Sequence, residues 1–195
     1  MRAVVVLCHP AEHGFTRSAG AAAVRGLRRA GHEVVVLDLY RMGFQPAMSA
    51  AEYHAYHGDT PVIDPLVAES VSAIRQAEML VFVYPTWWSS VPAMLKGWLE
   101  KTMVPGVAFV FNDANKVRPG LRNVRRIVGI TSYGSRRMYV KAVNDNGRRT
   151  LLRALRLNTG VRTRCTWLPF YGFDSASSAQ RDSFIQGVED RMARL

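Results

Sequence analysis

Cysteine is scarce: the chain of 195 residues has two, Cys8 and Cys165, each inside an apolar run. That excludes a disulfide-stapled scaffold and points to a reducing compartment. Long hydrophobic runs are missing too, since none approaches the ~20 residues that span a bilayer. The run Ala3 to Cys8 is shorter than a signal-peptide core and has no cleavage site behind it, so a cytoplasmic protein without a transmembrane segment is expected. Acidic residues are thin in one stretch: from Lys116 to Arg164 there are 14 basic residues and a single acidic one, Asp145. Over the whole chain 26 Lys and Arg against 15 Asp and Glu leave a net charge of +11, which favours anionic ligands without choosing among them. Neither G-x-G-x-x-G nor G-x-x-x-x-G-K-[ST] occurs, so dinucleotide sites of the Rossmann type and Walker-type sites lose their main support.

What remains is an ordinary globular composition, 48% hydrophobic and 21% charged, and a length suited to one core, so a single domain over residues 1–195 is expected. Ala3 to Cys8, Glu33 to Asp38, Met79 to Tyr84, Arg126 to Thr131 and Arg164 to Phe170 are short apolar runs rich in β-branched residues, the pattern of buried strands. Helical stripes alternate with them. Ala23, Val24, Leu27 and Ala30 share one face, with Ser18 or Thr16 to cap the start and Gly31 to end it. Asp64-Pro65 opens a second helix and Pro92 a third. A fourth covers Arg149 to Asn158, and a fifth follows Ser177 with Phe184, Ile185, Val188 and Met192 on one side. Tyr40 to Pro61 is expected as a surface excursion, and Val104 to Asn123 as mostly loop with a short extended piece at Val107 to Phe111. The sum is an α/β fold: an open five-stranded parallel sheet with helices on both faces, a three-layer sandwich.

In such a sheet ligands bind beyond the carboxyl ends of the strands, near the point where strand order reverses. Three loops qualify: His9 to Ser18, Pro85 to Ser90, and Thr131 to Tyr139. The first ends at a helix N-terminus, which is either an anion site or an ordinary capped start with Thr16 as the cap. His9 and His13 make no metal pair, because Pro10 and Gly14 break the helix that would align them and no acidic or thiol partner is spaced to complete a site. Trp87 and Trp88 either cover something planar or pack over the 40–61 excursion or a subunit contact.

The stretch Tyr84-Pro-Thr-Trp-Trp-Ser-Ser-Val-Pro-Ala-Met-Leu-Lys-Gly-Trp-Leu-Glu-Lys101, followed by Pro105-Gly106 and Phe109, resembles the flavodoxin-like NAD(P)H:quinone oxidoreductases of the DT-diaphorase type and their shorter bacterial members. Supporting pieces are Val5-Val-Leu-Cys-His-Pro10 with Phe15-Thr16, Asp38-Leu-Tyr40 with Phe44 and Pro46, Ile130-Thr-Ser-Tyr-Gly-Ser135, and Met138-Tyr139. The resemblance implies strand order 2-1-3-4-5 and a bound flavin, FMN or FAD, the C-terminal extension of the longer enzymes being absent. It implies that His9, Phe15 and Thr16 hold the phosphate or pyrophosphate, that Pro85, Thr86, Trp87 and Trp88 line the isoalloxazine ring, and that Thr131, Ser132, Tyr133 and Gly134 approach its pyrimidine end. The implied reaction is ping-pong: NADPH or NADH gives a hydride to the flavin and leaves, and a quinone or similar flat acceptor then takes two electrons in the same pocket. A homodimer with the pocket completed by the partner chain is also implied.

Two positions depart from the family pattern. Tyr139 matches a catalytic tyrosine that acts with a histidine six residues on, where this chain has Asp145, and Tyr133 stands in place of a glycine. The alternative to the enzyme is a regulatory flavoprotein, since relatives of this family serve as ancillary subunits of potassium efflux systems. A nucleic-acid binder is not expected, because the basic residues are not interleaved with aromatic platforms. Arg136, Arg137, Lys141, Arg148 and Arg149 are either a solvated basic face or a rim that steers phosphorylated nicotinamide and prefers NADPH.

Overall fold

The computed structural model describes residues 1–195. The chain opens with β1 (Arg2–Leu7), α1 (Phe15–Arg29) and β2 (Glu33–Asp38). Two helices follow, α2 (Ala50–Ala55) and α3 (Pro65–Gln76), then β3 (Met79–Pro85) and α4 (Ala93–Thr102). A hairpin of β4 (Phe109–Phe111) and β5 (Val117–Pro119) precedes β6 (Arg126–Tyr133) and the short α5 (Arg137–Ala142). A continuous helical segment then runs from α6 (Asn146–Arg149) through a π-helical turn at Thr150–Leu155 into α7 (Arg156–Thr159). β7 (Arg164–Tyr171) and α8 (Ser178–Met192) complete the chain.

β2-β1-β3-β6-β7 form one fully parallel sheet, which is the expected order 2-1-3-4-5 with the hairpin strands left out of the count. Period-two alternation divides each central strand between two cores. Ala3, Val5, Met79, Val81, Val128 and Ile130 face α1 and α8, which meet them with Ala19, Ala23, Leu27, Val188 and Met192. Val4, Val6, Leu80, Phe82 and Ile127 face α3, α4 and the π-helical turn, which supply Ile74, Leu95, Trp98, Leu151 and Leu155. Each such Val, Leu or Ile contributes roughly 1.5–3 kcal/mol when fully buried. The sheet's place at the middle of two layers explains why all seven residues of β3 are buried. The edge strand β2 is different: only Leu37 is buried, and Val36 stays 42% exposed despite its apolar sequence.

Several boundaries differ from expectation. β6 continues past Thr131 to Tyr133, because β7 offers ladder partners as far as Tyr171. Thr131, Ser132 and Tyr133 are therefore strand residues, and Tyr139 lies on α5 rather than at a loop end. The stretch 104–123 contains a hairpin whose strands are too short to show periodicity. Cys165 is exposed, for β7 is the other edge of the sheet.

The 40–61 segment is not simply a surface excursion. Phe44 is buried, Ser49 opens α2 with a reciprocal capping box to Glu52, and the Lys101 ammonium reaches in from α4. That ammonium is 2% exposed and contacts Glu52 Oε1 at 2.7 Å, Asp64 Oδ2 at 3.2 Å and the Gln45 carbonyl at 2.9 Å. Its desolvation is offset by two carboxylates, a carbonyl and the Phe44 ring, which ties α2, α3 and α4 together. Burial alone raises the affinities of Glu52 and Asp64 for protons, but Lys101 and their capping N–H bonds outweigh it and hold both below the ordinary values.

Candidate active site

The carboxyl ends of β1, β3 and β6 lie side by side, and strand order reverses between β1 and β3. The three expected loops therefore open at one rim. The loop after β1 is held by a residue that sequence reasoning passed over, Arg17. Its guanidinium is nearly buried and pairs with Asp38 at the end of β2. It also donates to the His9 carbonyl at 2.8 Å and the Ala11 carbonyl at 2.5 Å. An arginine in the first turn of a helix is placed against the dipole, and that misfit was the available signal that something other than helix propensity holds it there.

Neither Thr16 nor Ser18 caps α1. The cap position is Gly14 at φ 119°, with no side-chain bond, and Thr16 is buried within the first turn. The first N–H groups, on Phe15, Thr16 and Arg17, consequently have no acceptor in the protein. This is a fixed, uncapped helix start of the kind that receives an anion. The Phe15 ring packs with Phe170 and Phe173, both at 5.1 Å, and with Phe184 at 5.6 Å, so it anchors the helix start to β7 and α8.

The loop after β3 is a tight turn. Trp87 and Ser90 exchange backbone hydrogen bonds of 3.2 and 3.0 Å, and the two central residues, Trp88 and Ser89, have φ of 47° and 57°. Left-handed conformations at both centres define a type I′ turn, normally made by Asn and Gly. A bulky residue there is strained. The result is a rigid loop that leaves Trp88 99% exposed and Trp87 44% exposed beside the His9 ring, 6.2 Å away. Thr86 ties this loop to β6: its N–H donates to the Ser132 carbonyl at 2.8 Å and its hydroxyl lies 3.0 Å from that of Thr131.

Between the turn and β6 is a cavity of about 250 Å³ walled by Thr86, Trp88, Ser89, Tyr133, Gly134 and Tyr139, among others. At Gly134 a Cβ would stand 2.5 Å from a carboxylate oxygen of the exposed Asp174 side chain, which would have to turn aside. The Tyr133 hydroxyl donates to Asp145 Oδ1 at 2.7 Å, and its ring stacks on Tyr171 at 4.9 Å. Burial first, then the bond to Asp145, push the Tyr133 phenol far above its ordinary value, so it keeps its proton. Tyr84 is fully buried nearby with its hydroxyl unpartnered, and its acidity is suppressed by burial and then by the charge of Asp145. Tyr139 is 56% exposed at the cavity wall, and its sequence-matched companion Asp145 is engaged by Tyr133 instead.

Of the site residues read from sequence, Thr86, Trp88, Tyr133, Gly134 and Tyr139 share this cavity. Pro85, Thr131 and Ser132 lie on the adjoining ends of β3 and β6, Trp87 in the turn that follows β3, and His9, Phe15 and Thr16 at the start of α1 and the loop before it. The basic rim divides only in part: Arg137, Lys141, Arg148 and Arg149 line one groove, whereas Arg136, again with Arg137, lines a second cavity against Phe170 and α8. No helix is long and apolar enough to cross a membrane.

Known proteins share this fold. A family model described as flavodoxin-like fold matches residues 1–195. The NAD(P)H dehydrogenase [quinone] 1 of Rattus norvegicus is 31% identical over 153 residues, covering 71% of this chain and 56% of that protein. The ribosyldihydronicotinamide dehydrogenase [quinone] of the same organism is 30% identical over 161 residues, covering 72% of this chain and 67% of that protein. The first of these is matched over little more than half its length. Among solved structures, an NAD(P)H:quinone oxidoreductase from Methanothermobacter marburgensis superposes with a TM-score of 0.84 at 25% identity, covering 99% of this chain and 98% of that one.

Proposed function

Given that this chain belongs to the family with the flavodoxin-like fold, we propose that it is a flavin-dependent NAD(P)H oxidoreductase that reduces quinones or similar flat acceptors by two electrons. The observation that carries this reading is the pairing, on neighbouring strand ends, of an uncapped helix start with a strained turn that exposes two indoles. One suits the phosphate of a flavin and the other its planar ring. The similarity to enzymes named as quinone dehydrogenases supports the substrate class.

His9, Phe15 and Thr16 hold the phosphate end of FMN or FAD, the latter two through backbone N–H groups that have no other acceptor. Pro85, Thr86, Trp87 and Trp88 flank the ring, and Thr131, Ser132, Tyr133 and Gly134 border its pyrimidine end. A flavin bound there supplies the redox chemistry, taking a hydride from NADH or NADPH and passing two electrons to the acceptor in ping-pong order. Tyr139 is the catalytic side chain, offering a hydroxyl where charge accumulates on reduction. Asp145 accepts a hydrogen bond and cannot donate one when ionised, so the proton at this end of the pocket is the one Tyr133 keeps. The rigid turn and the Thr86–Thr131 contact orient the ring without moving parts. A second copy of the chain covers the mouth, a reading supported by the exposure of Trp88 and Tyr139 at the cavity wall.

The test is the visible spectrum of the purified protein after adding FMN or FAD and removing free flavin, repeated anaerobically with NADPH or NADH. Bands near ~450 nm that are retained and then bleach are expected of a flavoprotein reduced by nicotinamide. A protein that retains neither flavin refutes the reading. Sedimentation of the loaded protein tests the dimer.

A further inference from the structure

A cluster of positive charge without ion-pair partners lies next to the candidate active site. A groove of about 790 Å³ runs between the α5–α7 segment and β7, and six of its lining residues are Arg137, Lys141, Arg148, Arg149, Arg153 and Arg156. None of the six makes an ion pair, although ten such contacts occur elsewhere in the chain. Arg156 donates to the Val161 carbonyl, and the side chains of the other five donate no hydrogen bond to the protein at all. The groove holds one carboxylate, Asp145, whose Oδ1 already accepts from Tyr133. Trp167 forms part of the wall, with its ring fixed over Gly129 and its indole Nε1 buried without an acceptor. Converging like charges repel one another, so this groove is electrostatically incomplete without an anion.

Its position narrows the anion. Val140 and Asp145 line both this groove and the smaller cavity beside Trp88 and Tyr133, so one ligand can occupy both, a flat head in the cavity and a charged tail among the arginines. The volume is that of a small-molecule site, and the π-helical turn that carries Arg153 is an irregularity common at functional sites. We propose that this groove binds the phosphates of NADPH, its 2′-phosphate included, and makes the protein select NADPH over NADH. The proposal rests on the oxidoreductase reading for its biological meaning. Guanidinium groups suit the task because each presents two parallel donors to a phosphate. A nucleic acid is the competing occupant of a basic groove, and competition with duplex DNA distinguishes it from a nucleotide.

Calorimetric titration of 2′,5′-ADP, with ADP as the control, into the 195-residue chain as purified decides the matter without using turnover. Far-ultraviolet circular dichroism serves as the check on folding. The groove predicts that 2′,5′-ADP binds more tightly than ADP, that added salt weakens it, and that the R148A/R149A variant loses about tenfold or more, the equivalent of one charge-assisted bond. Arg118→Ala, in β5 and outside the groove, should leave the affinity unchanged. Equal affinity for the two nucleotides, equal weakening by Arg118→Ala and by R148A/R149A, or displacement of 2′,5′-ADP by a lower concentration of duplex DNA would each overturn the proposal. Failure of the oxidoreductase reading shows separately, as loss of both flavins from a chain whose 2′,5′-ADP titration can still be read.

Discussion

Lys101 and the arginines of the α5–α7 groove carry the same charge and have opposite settings. Lys101 is buried and meets Glu52, Asp64 and a backbone carbonyl, so every strong partner it needs is inside the chain. The groove gathers six cations around a single carboxylate that is already engaged by a phenol. The difference separates charge neutralised inside the fold from charge left without a protein partner. A buried ion costs several kcal/mol to desolvate and is tolerated only when paired, whereas exposed cations cost little singly and become useful when they converge.

The contrast can be broken most forcefully at Lys101. Lys101→Ala leaves two carboxylates facing each other without their cation and should cost about 3–5 kcal/mol in urea unfolding. R148A/R149A should stay within about 0.5 kcal/mol of the parent protein, as surface substitutions do. Comparable losses in the two would erase the distinction.

Next in size is the bond that keeps the groove's only carboxylate occupied. Tyr133→Phe removes a hydrogen bond to a charged acceptor, worth about 1.5–3 kcal/mol. It also frees Asp145 to pair with neighbouring arginines, so 2′,5′-ADP should bind more weakly even though no cation has been touched. Unfolding curves and the nucleotide titration read the two effects separately.

Acid provides a graded version of the first test. Glu52 and Asp64 are held below their ordinary values of 4.5 and 3.8, so their contribution to stability is fully present above those values and is lost as pH falls through the lowered ones. Unfolding free energy should therefore decline below about pH 4.5 and do so less steeply in Glu52→Gln, where one of the two linked protons has been removed.

The smallest effect concerns the turn. Ser89→Gly relieves a left-handed conformation at no cost in contacts and should raise stability by roughly 1 kcal/mol in thermal unfolding. If the strain serves to fix the indoles, the same change should loosen flavin retention.

Much of the fold was legible because β-branched apolar runs have few alternatives to a buried parallel strand. The Trp87–Trp88 loop was legible as unusual for the same reason, since large rings at a strand end need cover. What escaped depended on partners far along the chain. β6 extends to Tyr133 because Tyr171 is opposite, the β4–β5 strands are three residues each, and the turn at Trp88 lacks the Gly or Asn that announces its type. Thr16 looked like a cap because capping is a local habit, yet the pairing of Arg17 with Asp38 on β2 sets the loop from across the sheet.

By itself, then, the sequence determined the periodicities, the order of elements along the chain and the excess of positive charge between Lys116 and Arg164, all of which depend on residue type and near neighbours. Only the tertiary structure decided which charges meet. It brought Lys101 to two carboxylates 37 and 49 positions earlier in the chain and left the groove's arginines without any. Coulomb attraction and desolvation act through distance and burial, and neither is written in the separation of residues along the chain.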